Sequence, residues 1–272
     1  FLDITARNDW SSTMSKANRS YFYPSVSLSG VISDMVPKLG GQMPEWFTFA
    51  KVRASYAEVG NDLDPYQLYN NFTVGKDENG NTTAAPGNVL YDSSVRSELI
   101  KSWEAGFDIR FFNNRLGLDA AWYKTNATRQ LLNLPMDPFS GYSSRKVNAG
   151  NIQNEGVEIS LNGLILDNPK GLSWNSTAQF SLNRNKIIDL YPGVTLYDIK
   201  TLDAIQIVAV QGSYYGDIYG QTFQRVEDKN DPNYGKIIVG EDGLPLITTG
   251  KSKVGNQSPD WMLGWTNSFS YK

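Results

Sequence analysis

Glu104 and Asp108 stand four residues apart in KSWEAGFDIR, on one side of any extended segment. Paired carboxylates are what a glycoside hydrolase uses, one to protonate the leaving oxygen and one as nucleophile or base. The competing reading is a charge-balanced wet surface, with Arg110, Arg7, Lys51 and Arg53 supplying the opposite sign, and the rest of the chain favours it. There is no histidine and no cysteine, which removes Ser-His and Cys-His pairs, thiolate chemistry, disulfides and zinc sites built from those ligands. Asp77, Asn79 and Asn81 resemble the start of a calcium loop, but the sixth position is Thr82 and the twelfth Asn88. A calcium loop needs Gly and a bidentate acid there. A solvated turn is the simpler reading. No metal, cofactor or catalytic residue is assigned, and the chain is expected not to be an enzyme.

Aromatic rings offer the other chemistry. Tyr66, Tyr69, Phe72, Tyr91 and Tyr142 lie in segments that read as loops, and Tyr191, Tyr197, Tyr214, Tyr215 and Tyr219 lie in the longest of them. Flat rings stack on sugar faces and on peptide side chains. The first five are the candidate substrate-binding residues; packing of the loops on one another is the equal alternative. The net charge is −3 with no basic block, so nucleic acid is not an expected partner.

The elements that hold these residues have a period of two. In 102–112, Trp103, Ala105, Phe107, Ile109 and Phe111 alternate with Ser102, Glu104, Gly106, Asp108 and Arg110. Asn113-Asn114 reads as a tight turn, because Asn tolerates positive φ. The return strand sets Leu116, Leu118, Ala120 and Trp122 against Gly117, Asp119, Ala121 and Tyr123. The same alternation marks 1–10, 21–32, 47–59, 156–166, 171–183 and 260–272, which makes about eight long strands. The connections are 11–19, 33–46, 60–98, 113–114, 126–154, 167–170 and 184–258. From the third onward they alternate long and short, the asymmetry between extracellular loops and periplasmic turns of an outer-membrane barrel. Parity puts 33–46, 113–114 and 167–170 on the periplasmic side, and the first of these is long enough for a short helix.

Alternation alone does not say which face is dry. A soluble, aromatic-rich, carbohydrate-binding β-sandwich buries its apolar face against a second sheet, whereas a porin-like barrel turns it to lipid. Strand length, loop asymmetry and the placing of Trp103, Phe111, Trp122, Trp174, Trp261 and Tyr271 near strand ends favour an all-β, antiparallel transmembrane barrel portion. No run approaches the roughly 18 apolar residues of a spanning helix.

Several strings resemble a known family. KSWEAGFDIRFFNNRLGLDAAWYK at 101–124, VNAGNIQNEGVEISL at 147–161, SWNSTAQFSLNRNKIIDL at 173–190 and GNQSPDWMLGWTNSFSYK at 255–272 are similar to barrel segments of SusC/RagA-type TonB-dependent outer-membrane transporters. So are the opening, FLDITARNDWSS followed by YFYPSVSLSG, and FAKVRASYAEVGN at 49–61. Where many relatives carry an acidic loop before the Pro-Asp-Trp string, this chain has GKIIVGEDGLPLITTG at 235–250, which keeps Asp242-Gly243 as a turn without calcium-ligand spacing. The resemblance implies that residues 1–272 are part of a barrel of about 22 strands, with the plug and the remaining strands outside this chain. It implies import of a large nutrient, an oligosaccharide or a peptide, across the bacterial outer membrane. The implied partners are the TonB energy-transducing complex, reached through the plug, a SusD-like surface lipoprotein, and outer-membrane lipid.

Overall fold

Each long alternating run becomes a strand, because a polypeptide with one apolar and one polar face per two residues can satisfy both faces only when extended. The computed structural model describes residues 1–271. In chain order the strands are β1 (Leu2–Trp10), β2 (Ser20–Val31), β3 (Phe47–Asn61), β4 (Phe72–Lys76), β5 (Thr82–Pro86), β6 (Val89–Leu90), β7 (Glu98–Phe111) and β8 (Leu116–Pro135). They continue with β9 (Ser144–Leu166), β10 (Leu172–Asp189), β11 (Leu196–Leu202), β12 (Ile205–Val210), β13 (Asp217–Gly220), β14 (Ser252–Asn256) and β15 (Met262–Tyr271). An α-helix, α1 (Ile32–Lys38), follows β2. Two units result: residues 1–184 together with the chain from 260 onward, and residues 185–259.

The first unit is an antiparallel meander in the order β1-β2-β3-β7-β8-β9-β10-β15. Its register carries the alternation from strand to strand. Leu2 faces Leu28, Leu28 faces Ala54, Ala54 faces Ala105, Ala105 faces Trp122 and Trp122 faces Val157. One step along, Ser27, Ser55, Glu104, Tyr123 and Gly156 form the matching polar row. A slip of one residue would exchange the two faces, so the register is strongly specified.

The apolar face is uncovered. Leu2 is 63% exposed, Trp103 55% and Trp265 71%, and among the described residues no second sheet packs over them. A sandwich core would bury these side chains, so the soluble alternative is overturned. Outward apolar residues run from Phe111 to Trp103 on β7 and from Ala50 to Tyr56 on β3, and then give way to Lys101 and Glu58, paired at 3.5 Å. At roughly 3.3 Å per residue and a tilt of about 40°, that run spans on the order of 20 Å, close to the apolar band of a transmembrane barrel. Three outward indoles have their N–H groups satisfied by polar neighbours on the same face: Trp122 donates to Glu155, Trp174 to Asn267 and Trp265 to Ser176.

The short connections share one end. Trp46 stacks on Phe111 at 5.8 Å, and Phe47 meets Phe111 edge-on at 5.3 Å; this is an aromatic girdle at the rim. Asn113 and Asn114 adopt left-handed φ values of 55° and 65°, as the turn requires. The expected short helix in 33–46 is α1.

Two connections differ from the sequence reading. The segment 126–154 is not a loop, since β8 and β9 stay paired from Ala127–Ile152 to Pro135–Ser144 and leave only 136–143 between them. Beyond the membrane band no lipid selects every second residue; the paired halves bury only scattered apolar side chains, Leu134, Val147 and Ala149, among polar neighbours. Arg129 and Gly150, opposite each other with φ of 58° and 76°, also break the period. The segment 184–258 is largely the second folded unit. There β11-β12-β13-β14 form an antiparallel sheet around buried Ile187, Val208 and Ala209. A further arm is closed by the bridges Phe223–Ile247, Arg225–Ile237 and Val239–Pro245.

The two faces of the first unit respond differently to charge. Phe107→Arg, at the middle of the outward band, is expected to cost about 2–4 kcal/mol of barrel stability. Ser160→Arg, on the polar face opposite Asp119, is expected to cost little. Urea titration of the full-length protein refolded into vesicles checks the difference, and equal losses would reverse the face assignment.

Candidate functional site

The polar face of the first unit is a wall of long side chains lying flat. Arg53 on β3 crosses β7 at Gly106 and reaches Asp119 on β8, with N–O distances of 2.9 and 3.1 Å. It also touches Glu104 at 3.5 Å. Gly106 makes the crossing possible, because a Cβ there would lie 3.0 Å from the guanidinium and 2.7 Å from the Ala120 carbonyl oxygen. Tyr123 on β8 repeats the device, passing over Gly156 of β9 to donate to Asn183 of β10 at 3.2 Å. Ser102 with Thr125, and Asn162 with Thr177, complete cross-strand polar pairs. Arg53, Glu104, Asp119, Tyr123, Ser102 and Thr125, with Gln179, line a trough of about 860 Å³.

The candidate acid pair is not a pair. Glu104 is held by Arg53, and Asp108 by its own neighbour Arg110 at 2.8 Å. Arg7 likewise holds Asp9 at 2.9 Å. These contacts match the charge-balanced reading. Asp119, placed on the polar face by the alternation, is the partner of Arg53 that the sequence did not name; it lies in register opposite Asp108.

The long loops form a built rim. Met14, Leu63 and Val95 make a small buried core with Tyr21, Leu68 and Leu131 against it. Asn18 donates to the Ser94 and Val95 carbonyls, and Asn148 exchanges hydrogen bonds with the backbone of Arg96. β6 pairs in parallel with Ser144–Arg145, and Arg145 meets Asp92 at 2.6 Å. Backbone and hydroxyl donation from Ser94, then Arg145, hold the Asp92 carboxyl down at about 2.

The five candidate aromatic residues separate on this rim. Tyr66 is 88% exposed, Tyr69 65% and Phe72 64%, and Tyr66 adopts a left-handed φ of 66°. Tyr91 is half-buried, its backbone clamped by the Asn70 amide at 2.7 and 3.2 Å, which sets it beside the segment carrying Tyr69. Tyr142 is also half-buried, in a turn closed by Ser140, and the adjoining Ser143 is tied to Asn88. Asp77 is a turn-former: its carboxylate accepts from the Asn79 and Asn81 backbone N–H groups and from the Asn81 amide.

The second unit has a buried centre of its own. Asp217 is wholly buried and accepts from Lys253 at 2.7 Å, from Asn256 at 2.8 Å and from Ser213. The Lys253 ammonium also lies 5.5 Å from the centre of the Tyr214 ring. Tyr197 and Tyr219 belong to the sheet, on β11 and β13.

Residues 1–270 match the family model described as TonB dependent receptor-like, beta-barrel. The chain belongs to this family. It is 29% identical to TonB-dependent receptor P3 of Formosa agariphila across 99% of this chain and 28% of that receptor. With TonB-dependent receptor SusC of Bacteroides thetaiotaomicron it shares 24% identity, again over 99% of this chain and 28% of the relative. Among solved structures it resembles one of the RagAB peptide transporter, with a TM-score of 0.81 at 23% identity, covering 100% of this chain and 30% of that one. The structural likeness establishes the fold, and the chain spans less than a third of the length of these relatives. It is a SusC/RagA-type barrel segment of the outer membrane. The relatives are receptors and transporters rather than enzymes, as expected for this chain.

The Asp217 cluster makes the second unit sensitive to acid. Burial alone would push this carboxyl up, but donation from Lys253, Ser213 and Asn256 prevails and holds it below the ordinary range. Its stabilisation is therefore complete above the unfolded value of about 3.9 and is lost as pH falls through the lower folded value. Lys253→Met is expected to remove about 1–3 kcal/mol, because one charged donor to a buried acceptor is lost. Protease cutting within 185–259 of the full-length receptor, followed from about pH 6 to pH 3, checks both effects. Cutting that is unchanged in the variant at every pH would show that the cluster does not hold the unit.

Proposed function

We propose that this segment is part of the wall and rim of a TonB-dependent importer for a nutrient too large to diffuse through a porin. On this reading the plug and the remaining barrel strands lie outside the chain, in keeping with the 28% and 30% of its relatives that it spans. The TonB energy-transducing complex acts through that plug, and a SusD-like lipoprotein caps the long-loop side. The observation that carries the proposal is the rim. A segment serving only to close a barrel needs no buried loop core, whereas this one fixes a scaffold and leaves Tyr66, Tyr69 and Phe72 exposed on it. Exposed rings on a rigid frame can receive a sugar face or a peptide side chain at little entropic cost.

The substrate class proposed is an oligosaccharide or a peptide. The polar, charge-balanced wall supports it, since cargo of either kind exchanges hydrogen bonds with such a face without meeting a single-sign field. The RagAB structure is titled a peptide transporter, which favours the peptide within the pair.

Tyr66→Ala combined with Tyr69→Ala in the full-length receptor is expected to weaken capture by about 1–3 kcal/mol, taking about 0.5–1.5 kcal/mol for each lost stacking contact. The measurement is binding of a peptide mixture and of an oligosaccharide mixture to cells with matched surface levels of parent and variant. Uptake, unlike binding, is expected to vanish when the TonB-type transducer is deleted. Unchanged capture would make these rings loop packing, and uptake that persists without the transducer would overturn energised import.

A further inference from the structure

At the short-turn rim, α1 folds back onto the outward face of the wall. Gly30 leaves the space: a Cβ there would lie 3.5 Å from Met35 Sδ, 3.8 Å from Val52 Cγ2 and 3.9 Å from Ile32 Cδ1. Gly30 and Val52 face each other in register, in line with Leu28 and Ala54 of the lipid-facing set. The helix therefore rests on the side of the sheet that meets hydrocarbon. Met35 stays 47% exposed, and Leu39, just past the helix, 82%. The girdle of Trp46, Phe47 and Phe111 lies at the same rim, where β3 begins and β7 ends. A short helix with apolar residues toward the wall and charged ones beside them suits the headgroup boundary, lying in its plane.

Helix and wall enclose a crevice of about 530 Å³. Leu28, Val52, Ala54 and Met35 line it, and Asp34 and Lys38, one helical turn apart and both exposed, form its lip. The crevice is continuous with the lipid-facing band, so the medium that enters it is lipid. Its walls suit an acyl chain. Its lip offers a carboxylate and an ammonium within one turn, the complement of a headgroup that carries both an amine and a phosphate. An anionic headgroup without an amine would satisfy Lys38 and leave Asp34 facing like charge.

We infer that α1 and the outer wall of β2 and β3 form a site for a zwitterionic aminophospholipid of the periplasmic leaflet. One acyl chain lies in the crevice, the phosphate meets Lys38 and the amine meets Asp34. The test uses the full-length receptor in vesicles containing phosphatidylethanolamine or phosphatidylglycerol with a photoreactive acyl chain, the labelled peptides being mapped by mass spectrometry. In the parent, phosphatidylethanolamine is expected to label residues 28–39 several-fold more than the outward face of β10 around Trp174 and Ala178, and more than phosphatidylglycerol does. Gly30→Phe, which fills the crevice, is expected to bring that labelling down to the level of β10. Asp34→Ala with Lys38→Ala is expected to erase the headgroup preference while acyl-chain labelling persists. Uniform labelling of the outward faces, or equal labelling of the parent by both lipids, would each overturn the site. The parent pattern decides without a variant, and heat-modifiable migration on gels reports that each variant has folded.

Discussion

Backbone hydrogen bonding inside hydrocarbon is the constraint from which the rest follows. An N–H or C=O facing lipid has no water to pair with, so every strand in the band must be paired on both sides by another strand. Pairing of each strand with the next along β1-β2-β3-β7-β8-β9-β10-β15, as an antiparallel meander, is one answer to that demand. It forces the alternation, because a wall one strand thick has lipid on one face and water on the other. The same demand is absent above the band. There β8 and β9 can twist through left-handed Arg129 and Gly150, and the chain can branch into β4, β5 and β6.

Inside the band the sequence was legible for that reason. Trp103, Ala105, Phe107 and Ile109 alternate because lipid selects every second residue, and Asn113-Asn114 declares a turn by its tolerance of positive φ. Outside the band the same reading failed. The halves of β8 and β9 beyond Asn126 and Asn154 bury only Leu134, Val147 and Ala149 among polar neighbours, so no sustained alternation separated paired backbone from loop. The second unit was missed for a related reason. Its centre is Asp217 with Lys253, Asn256 and Ser213, polar residues that look like loop composition until the chain brings them together across some forty positions.

The candidate rim was legible by residue type and not by arrangement. Tyr66, Tyr69, Phe72, Tyr91 and Tyr142 stood out as rings in polar segments, yet their sequence positions do not say that Asn70 fixes Tyr91 or that Asp92 and Arg145 tie one loop to a barrel strand. Such clamps join residues of ordinary loop type over separations that no local pattern records. The polar wall shows the opposite balance. Its face was readable from alternation, while the partner chosen by each charge, Asp119 for Arg53 above all, depended on a glycine between them.

Gly106 and Gly156 have a consequence for the relief of the polar face. A barrel wall studded with arginine and tyrosine pointing along its radius would narrow the bore by the length of those side chains and offer hooks to anything sliding past. Here Arg53 and Tyr123 each have a groove in the neighbouring strand, at Gly106 and Gly156, and lie down in it with their polar ends already engaged. At these two places the surface is low in relief, and the Arg53 charge is matched by Asp119 and Glu104. Adding a single methyl group at either glycine would raise a ridge across that surface.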